Sequence, residues 1–116
     1  MFTINVGRDF SRTPGGRKFV DGPDSGELFR QRFLVPNLID VVNHGGTLTV
    51  ELDGPRGYLS SFLEEAFGGL IRSGQFTKRQ LADHLNVVAK DPFYETYVKL
   101  ARKYIEDAKP EVALAG

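Results

Sequence analysis

Two adjacent serines, Ser60 and Ser61, occupy the position in this chain that is best suited to chemistry, because they follow a strand-like run and open an amphipathic helix. The preceding run, LTVELDG, alternates apolar and polar side chains, and SSFLEEAFGGLIR repeats apolar residues at helical spacing. The first four amides of a helix lack internal partners and the helix dipole is positive there, so an anion is stabilised. The junction is therefore suited to carry a phosphoserine, to bind a phosphate from solution, or to cap the helix with a serine hydroxyl.

Capping competes with phosphorylation at these serines. Ser61 and Glu64 have the Ser-x-x-Glu spacing of a capping box, in which Glu64 reaches back to the amide of Ser61. A phosphoserine carries a charge of about −1.5 to −2, which Glu64 and Glu65 would repel and the nearby Arg56 would offset. Both hypotheses stay open, and Ser60 is the freer hydroxyl.

The helix after the serines carries residues that either fill the core or face a partner. Gly68 and Gly69 each cost about 1 kcal/mol relative to alanine inside a helix, so close packing must compensate, either internally or against another chain. Phe62 is the apolar residue expected to face a partner, because the other apolar residues of the helix already make a core face; its burial is the alternative. The predicted partner-binding surface comprises Arg56, Gly57, Phe62, Glu64, Glu65, Gly68 and Gly69.

Composition limits the class of protein. The 116 residues include 15 Lys+Arg and 15 Asp+Glu, and this balance removes the broad positive field of a dedicated nucleic-acid binder. The absence of cysteine excludes disulfides and thiol catalysis, and no apolar run approaches the ~20 residues of a membrane-spanning helix. We predict a cytoplasmic protein with no membrane contact, in which residues 1–110 form one domain and residues 111–116 a flexible C-terminal tail.

No catalytic or metal-binding pattern is recognisable in the sequence. The two histidines, His44 and His84, lie near predicted element ends without metal-ligand spacing. Glu51 and Asp53 at the end of a strand could in principle hold Mg²⁺, but magnesium sites usually include substrate phosphates as well, so we interpret them as solvated surface carboxylates. The PGGR loop at residues 14–17 lacks the spacing and the lysine of a P-loop. We predict a non-enzymatic protein with no catalytic residues, no metal and no cofactor.

Strands alternate with helices along the chain. The predicted strands are residues 2–6, 48–52 and 85–89, with a loop at residues 7–16 and an optional edge strand at residues 17–20. The predicted helices cover about residues 25–44, 60–73, 78–83 and 92–109. Asp24 with Glu27 and Thr77 with Gln80 have capping-box spacing, and Pro36 predicts a kinked or two-part first helix. This order predicts a single small layered α/β domain with a mostly parallel sheet flanked by helices.

Two segments, SGELFRQRFLVPNL and SSFLEEAFGGLIR, lie in that order on either side of a strand and resemble the bacterial STAS-like domain family of unknown function. The second is the more specific, because serine, phenylalanine, an acidic pair and Gly-Gly occur together just after a strand. The resemblance implies the fold of sulfate-transporter and anti-sigma-factor-antagonist domains, in which a strand leads into a loop and a helix with a regulatory serine. In the better-understood relatives, a partner kinase with a histidine-kinase-like ATPase fold phosphorylates that serine and switches protein binding off.

The relatives' Asp-Ser-Ser-Gly-Leu signature lies against residues 59–63. Ser60, Ser61 and Leu63 match the signature. Leu59 replaces the acidic residue and Phe62 replaces the glycine, so the loop departs from the one that the usual kinases recognise.

These observations predict a protein-interaction module of a bacterial signalling or regulatory system. In this hypothesis a histidine-kinase-like ATPase or another serine kinase modifies Ser60 or Ser61, and the added charge disfavours docking. The partner is a protein rather than nucleic acid, ATP belongs to that partner, and homo-oligomerisation stays open. The alternatives are a constitutive structural subunit that uses the same helix without a switch, and a phosphate-ligand-binding enzyme fragment.

Overall fold

The computed structural model describes residues 2–111. Of the predicted tail at residues 111–116, only Glu111 falls within this range, and its backbone N–H donates to the carbonyl of Arg72 (3.0 Å).

Three strands form one parallel sheet in the order β1-β2-β3. They are β1 (Phe2–Asn5), β2 (Leu48–Glu51) and β3 (Leu85–Val88). β2 is central, with Leu48 opposite Phe2 on one side and opposite Leu85 on the other. Every other residue of β2 is buried, as its alternating pattern predicts. The α/β architecture and the parallel sheet are thereby confirmed.

The segment after β1 differs from the prediction. Val6–Phe10 forms a π-helical turn rather than a loop, because Asn5 accepts a hydrogen bond from the amide of Arg8 (2.9 Å) and its own amide donates to Asp9 (2.8 Å). Side-chain bonds to the backbone thus start a helical turn directly at the strand end.

The optional edge strand at residues 17–20 is not formed. A 3₁₀ turn at Phe19–Asp21 takes its place, and the Asp21 carboxylate accepts from the amides of Arg17 (3.1 Å) and Lys18 (3.0 Å). The local carboxylate satisfies the amides that a strand would have paired, so the chain folds back on itself.

The first helix, α1 (residues 26–44), has three parts. An α-helical turn at Gly26–Phe29 leads into a π-helical segment at Arg30–Leu34, and Val35–His44 completes the helix in α geometry. The irregular segment ends two residues before Pro36, so the helix is interrupted near that proline as predicted, although in three parts rather than two. The cap differs, because Ser25 rather than Asp24 accepts from the helix, at the amide of Leu28 (3.2 Å).

The other helices follow the predicted order. α2 (residues 60–72) contains Ser60–Leu63, a π-helical segment at Glu64–Gly68, and Gly69–Arg72; it contacts both α1 and α4. α3 spans Lys78–His84 and α4 spans Glu95–Asp107. The Thr77–Gln80 capping box is confirmed by both of its bonds (3.0 and 3.1 Å). Among residues 2–111, no helix has the length and apolar character to cross a membrane.

Candidate functional site

The loop between β2 and α2 holds the predicted site at the carboxyl ends of the parallel strands, where ligands commonly bind in α/β proteins. Asp53 accepts from the amides of Lys90 (3.0 and 3.2 Å) and Asp91 (2.9 Å), which ties the loop to the segment after β3. Gly54 has a φ of 123°, and a Cβ added to Gly7 would lie 2.7 Å from its Cα. The two backbones can approach this closely only because both residues are glycine.

Two tyrosines hold the same loop in place. The hydroxyl of Tyr94 accepts from the amide of Gly54 (3.1 Å) and donates to the carbonyl of Pro55. The hydroxyl of Tyr58 donates to the carbonyl of Leu52 (2.7 Å). Burial raises the pKa of Tyr58, so its phenol stays neutral and remains a donor. These hydrogen bonds hold the loop against β2 and the start of α4.

Two exposed apolar side chains lie near the loop that leads into α2. Leu59 is 57% exposed and Phe93 is 58% exposed. The ring of Tyr97 lies 6.2 Å from that of Phe93, and its hydroxyl lies 3.0 Å from the position that a Cβ on Gly57 would take. Arg56 is exposed on the same loop. We call Arg56, Leu59, Ser60 and Phe93 the docking surface. Phe93 lies in the 3₁₀ turn Pro92–Tyr94 that precedes α4.

The two serines are the first residues of α2. Ser60 is exposed and Ser61 is half-buried. The residue that precedes the helix is Leu59, whose side chain cannot cap, and its carbonyl accepts from the amides of Phe62 (3.1 Å) and Leu63 (3.3 Å). The predicted Ser61–Glu64 capping box is wrong: Ser61 already lies inside the helix, and Glu64 turns away to bind arginines. Within residues 2–111 the amides of Ser60 and Ser61 have no hydrogen-bond acceptor, so the helix start keeps free donors.

Phe62 is a core residue, and its assignment to a partner-facing surface is corrected. Its side chain is 0% exposed. Its ring lies 5.8 Å from Phe29, 5.8 Å from Tyr58 and 6.1 Å from Phe10. An aromatic cluster from three other parts of the chain therefore covers the ring, and a partner cannot reach it in the folded state.

Glu64 and Glu65 bind cations within the molecule. Arg72 donates to both oxygens of Glu64 (2.6 and 3.1 Å), and Arg17 pairs with the same carboxylate. Glu65 is only 2% exposed, and the guanidinium of Arg30 donates to its carboxylate (2.6 Å). The placement of Glu65 on a partner-binding surface is therefore wrong, and Glu64 reaches solvent only in part.

Two opposing effects set the pKa of each of these carboxyl groups. Burial by itself raises the pKa of Glu65, but the hydrogen bond and charge of Arg30, with the charges of Lys18 and Arg72, hold it below its ordinary value. The pKa of Glu64 is lowered in the same way, because Arg72 and Arg17 outweigh its burial. Both groups are thus ionised and already paired, so they repel an anion on α2 less than the sequence indicates.

Gly68 and Gly69 serve internal packing, the first of the two predicted alternatives. A Cβ on Gly68 would lie 2.7 Å from the Glu64 carboxylate and 3.3 Å from the carbonyl of Tyr104. A Cβ on Gly69 would lie 2.1 Å from the guanidinium of Arg30. Both glycines are buried, so their assignment to a partner surface is corrected. Sequence reasoning missed the buried Arg30. The signal that could have indicated it is the Gly68–Gly69 pair, because glycine inside a helix leaves space for a side chain from another element.

The histidines have structural contacts. Nδ1 of His44 lies 2.8 Å from the carbonyl of Asp40, and Nδ1 of His84 lies 2.7 Å from the carbonyl of Gly46. Over residues 2–111, no group of three or more histidine, aspartate or glutamate side chains is arranged to hold a metal ion.

A comparison with family models places residues 25–92 in the STAS-like domain of unknown function (DUF4325). This match covers more than half of the chain, and the chain belongs to that family. The matched region contains α1, β2, α2, α3 and β3, and therefore includes the serines and the buried ion pair. No curated protein and no solved structure matches the chain.

Proposed function

We propose that this chain is a protein-interaction module of a bacterial signalling or regulatory system, and that phosphorylation of Ser60 switches its docking surface. The observation that carries the proposal is that Ser60 is exposed at an uncapped helix start, directly beside the exposed Leu59. STAS-like membership is compatible with a role in protein binding. The proposal concerns one surface and one modified residue.

The apolar part of the docking surface supplies the binding energy in this proposal. Leu59 and Phe93 are large apolar side chains that are more than half exposed. Burial of their exposed area against a partner would lower the free energy of the complex. Aromatic side chains such as Phe93 are enriched at protein interfaces, and Leu59 adds apolar area that a partner can bury. The hydrogen bonds of Asp53 and Tyr94 keep the loop in one conformation, which lowers the entropy lost on binding.

Phosphorylation would change the charge of this surface. Transfer of the γ-phosphoryl group of ATP to Ser60 Oγ forms an O–P bond, and ADP and the hydroxyl proton leave. The product carries a charge of about −1.5 to −2 next to the exposed side chain of Leu59, and an apolar partner would have to desolvate it. The free amides of the helix start and the exposed Arg56 would stabilise the phosphate on the unbound protein. Both effects favour release of the partner.

The test is capture of partners on tagged protein from the native host, with and without ATP. We expect one partner to be held without ATP and released with it, and mass spectrometry to find phosphate on Ser60. Ser60→Ala should keep the partner in ATP, whereas Ser61→Ala should behave like the wild type. Leu59→Asp should prevent capture, and Ile39→Asp, which changes an exposed apolar residue on α1 (46% exposed), should not.

A stable complex that ATP does not affect, with Ser60 unmodified, would support the alternative of a constitutive subunit. Equal capture by Leu59→Asp and the wild type would remove the docking surface itself.

A further inference from the structure

A groove runs along the open edge of β3, between α3 and α4. Its main part has a volume of about 540 Å³, with an apolar floor that includes Leu81, Val87 and Ile105. Its rim carries Lys78, Arg79, Arg102 and Glu106. A second part of about 370 Å³ continues past Arg102 along the end of β3 and the start of α4. None of these residues belongs to the docking surface around Ser60.

The backbone of β3 leaves one residue unpaired towards this groove. The amide of Leu52 donates to the carbonyl of Val88 (3.0 Å), so the backbone N–H and C=O of Val88 point towards β2. The backbone N–H and C=O of the preceding residue, Val87, therefore point away from β2 at the open edge of the sheet. The carbonyl of Val87 accepts from Nη2 of Arg102 (2.8 Å). Its amide has no acceptor among residues 2–111. An edge residue whose N–H is free and whose C=O is held only by a side chain can pair with another strand.

Arg102 occupies the position that the N–H of an additional strand would take. No carboxylate in the described part of the chain lies within salt-bridge distance of Arg102. Its neighbours on α4 are paired, Lys99 with Glu95 (3.8 Å) and Lys103 with Asp107 (3.4 Å). The guanidinium therefore has capacity for an acidic partner.

We propose that this groove binds an extended segment of a partner protein, with alternating apolar and acidic residues, which adds to the sheet beside β3. The segment's N–H would replace Arg102 at the carbonyl of Val87, and its carbonyl would accept from the amide of Val87. Apolar side chains on one face would cover the floor of the groove, and acidic side chains would pair with the released Arg102 and with Lys78. Main-chain bonds give affinity in such complexes, and alternate side chains give specificity.

Charge argues for a partner rather than a second copy of this chain. In a twofold contact that pairs Val87 of one β3 edge with Val87 of the other, the two Arg102 side chains beside that residue are brought together. Like charges opposite each other across paired strands are destabilising. An acidic strand meets the three cationic side chains of the rim, Lys78, Arg79 and Arg102, with opposite charge.

The test uses a display library of random peptides about ten residues long, roughly twice a typical strand. The library is selected on the wild-type protein, and the enrichment of each peptide is compared with its enrichment on Arg102→Glu. We expect enriched peptides to combine acidic and alternating apolar residues, and to bind Arg102→Glu about tenfold more weakly or worse, as for a lost charged contact at an interface. Lys103→Glu makes the same charge change outside the groove and should bind like the wild type.

NMR on the wild type then locates the best peptide. We expect the Val87 amide to shift and to become protected from hydrogen exchange. If no peptide is enriched more on the wild type than on Arg102→Glu, the proposal is overturned. The role of Arg102 would then be to cover the sheet edge and prevent pairing with other strands. A Val87 amide that the peptide does not change would also overturn the proposal. If the Val87 amide is protected in concentrated protein without peptide and sedimentation shows a dimer, the groove binds a second copy of this chain and the proposed partner segment is overturned. Spectra of both variants establish that they are folded.

Discussion

Arg30 donates through one guanidinium nitrogen to both the carboxylate and the backbone carbonyl of Glu65, at 2.6 Å in each case. Each residue lies in the π-helical segment of its helix, so the pair joins α1 to α2 at the irregular part of both. Both side chains are nearly buried, and Gly69 provides the space for the guanidinium. The pair positions α2, and with it the serines at the start of that helix.

Removal of one member of this pair should destabilise the fold strongly. For Glu65→Gln we expect a loss of about 3–5 kcal/mol in the free energy of unfolding, because Arg30 would be left as a buried, uncompensated charge. Urea denaturation followed by circular dichroism measures the loss. Lys103→Ala, which breaks an exposed pair, should cost about 1 kcal/mol or less. Equal effects of the two variants would contradict a special role for the buried pair.

Stability should fall in acid because of Glu64 and Glu65. Each has a lowered pKa in the folded state, so the unfolded state binds protons first as the pH falls. The contribution is complete above the unfolded carboxyl pKa of about 4.3 and is lost as the pH drops through the folded value. Urea midpoints between neutral pH and pH about 3 measure it, and Glu65→Gln should flatten the profile because the Glu65 carboxyl group no longer titrates. An unchanged slope in Glu65→Gln would refute the linkage.

Gly69→Ala should destabilise the protein although alanine is the better helix former. The new Cβ would lie 2.1 Å from the guanidinium of Arg30, and we expect this strain, about 1–3 kcal/mol, to exceed the gain of about 1 kcal/mol in helix propensity. In an Arg30→Ala background the same substitution should be neutral or stabilising. Gly46→Ala, whose Cβ would meet Val41 at an ordinary 3.5 Å, serves as the control. Additive effects of the Gly69 and Arg30 substitutions in thermal denaturation would argue against the clash.

Phe62→Ala should cost about 3–5 kcal/mol, because it opens a cavity in the aromatic cluster. Phe93→Ala removes an exposed ring of the same size and should change stability by about 1 kcal/mol or less. Chemical denaturation of both variants distinguishes a core residue from a surface residue. A loss of stability for Phe62→Ala as small as that for Phe93→Ala would contradict the core position of Phe62.

Ser60→Asp should leave the fold intact and stabilise it slightly. A negative charge beside free helix amides gains about 0.3–1 kcal/mol, and Ser60→Lys should lose a similar amount. The difference between the two melting temperatures should shrink in high salt. Salt-independent or reversed effects would mean that the start of α2 is not electropositive.

The positions of the secondary-structure elements followed from local patterns in the sequence. Strand alternation located β2, and the Thr77–Gln80 spacing located α3. Pro36 indicated an irregular first helix. These features depend on residues within one or two turns of each other, so a single sequence carries them.

The tertiary structure alone decided which side of α2 is free. Leu59 is exposed and Phe62 is buried, although both are large apolar residues near the same helix start. Glu65 is buried because Arg30, 35 residues earlier in the chain, reaches it across the helix interface. Local spacing cannot encode such a pairing, because it depends on how two helices are placed against each other and on the space that Gly69 leaves. The sequence by itself determined where the serines lie in the fold, and packing determined that Ser60 is accessible.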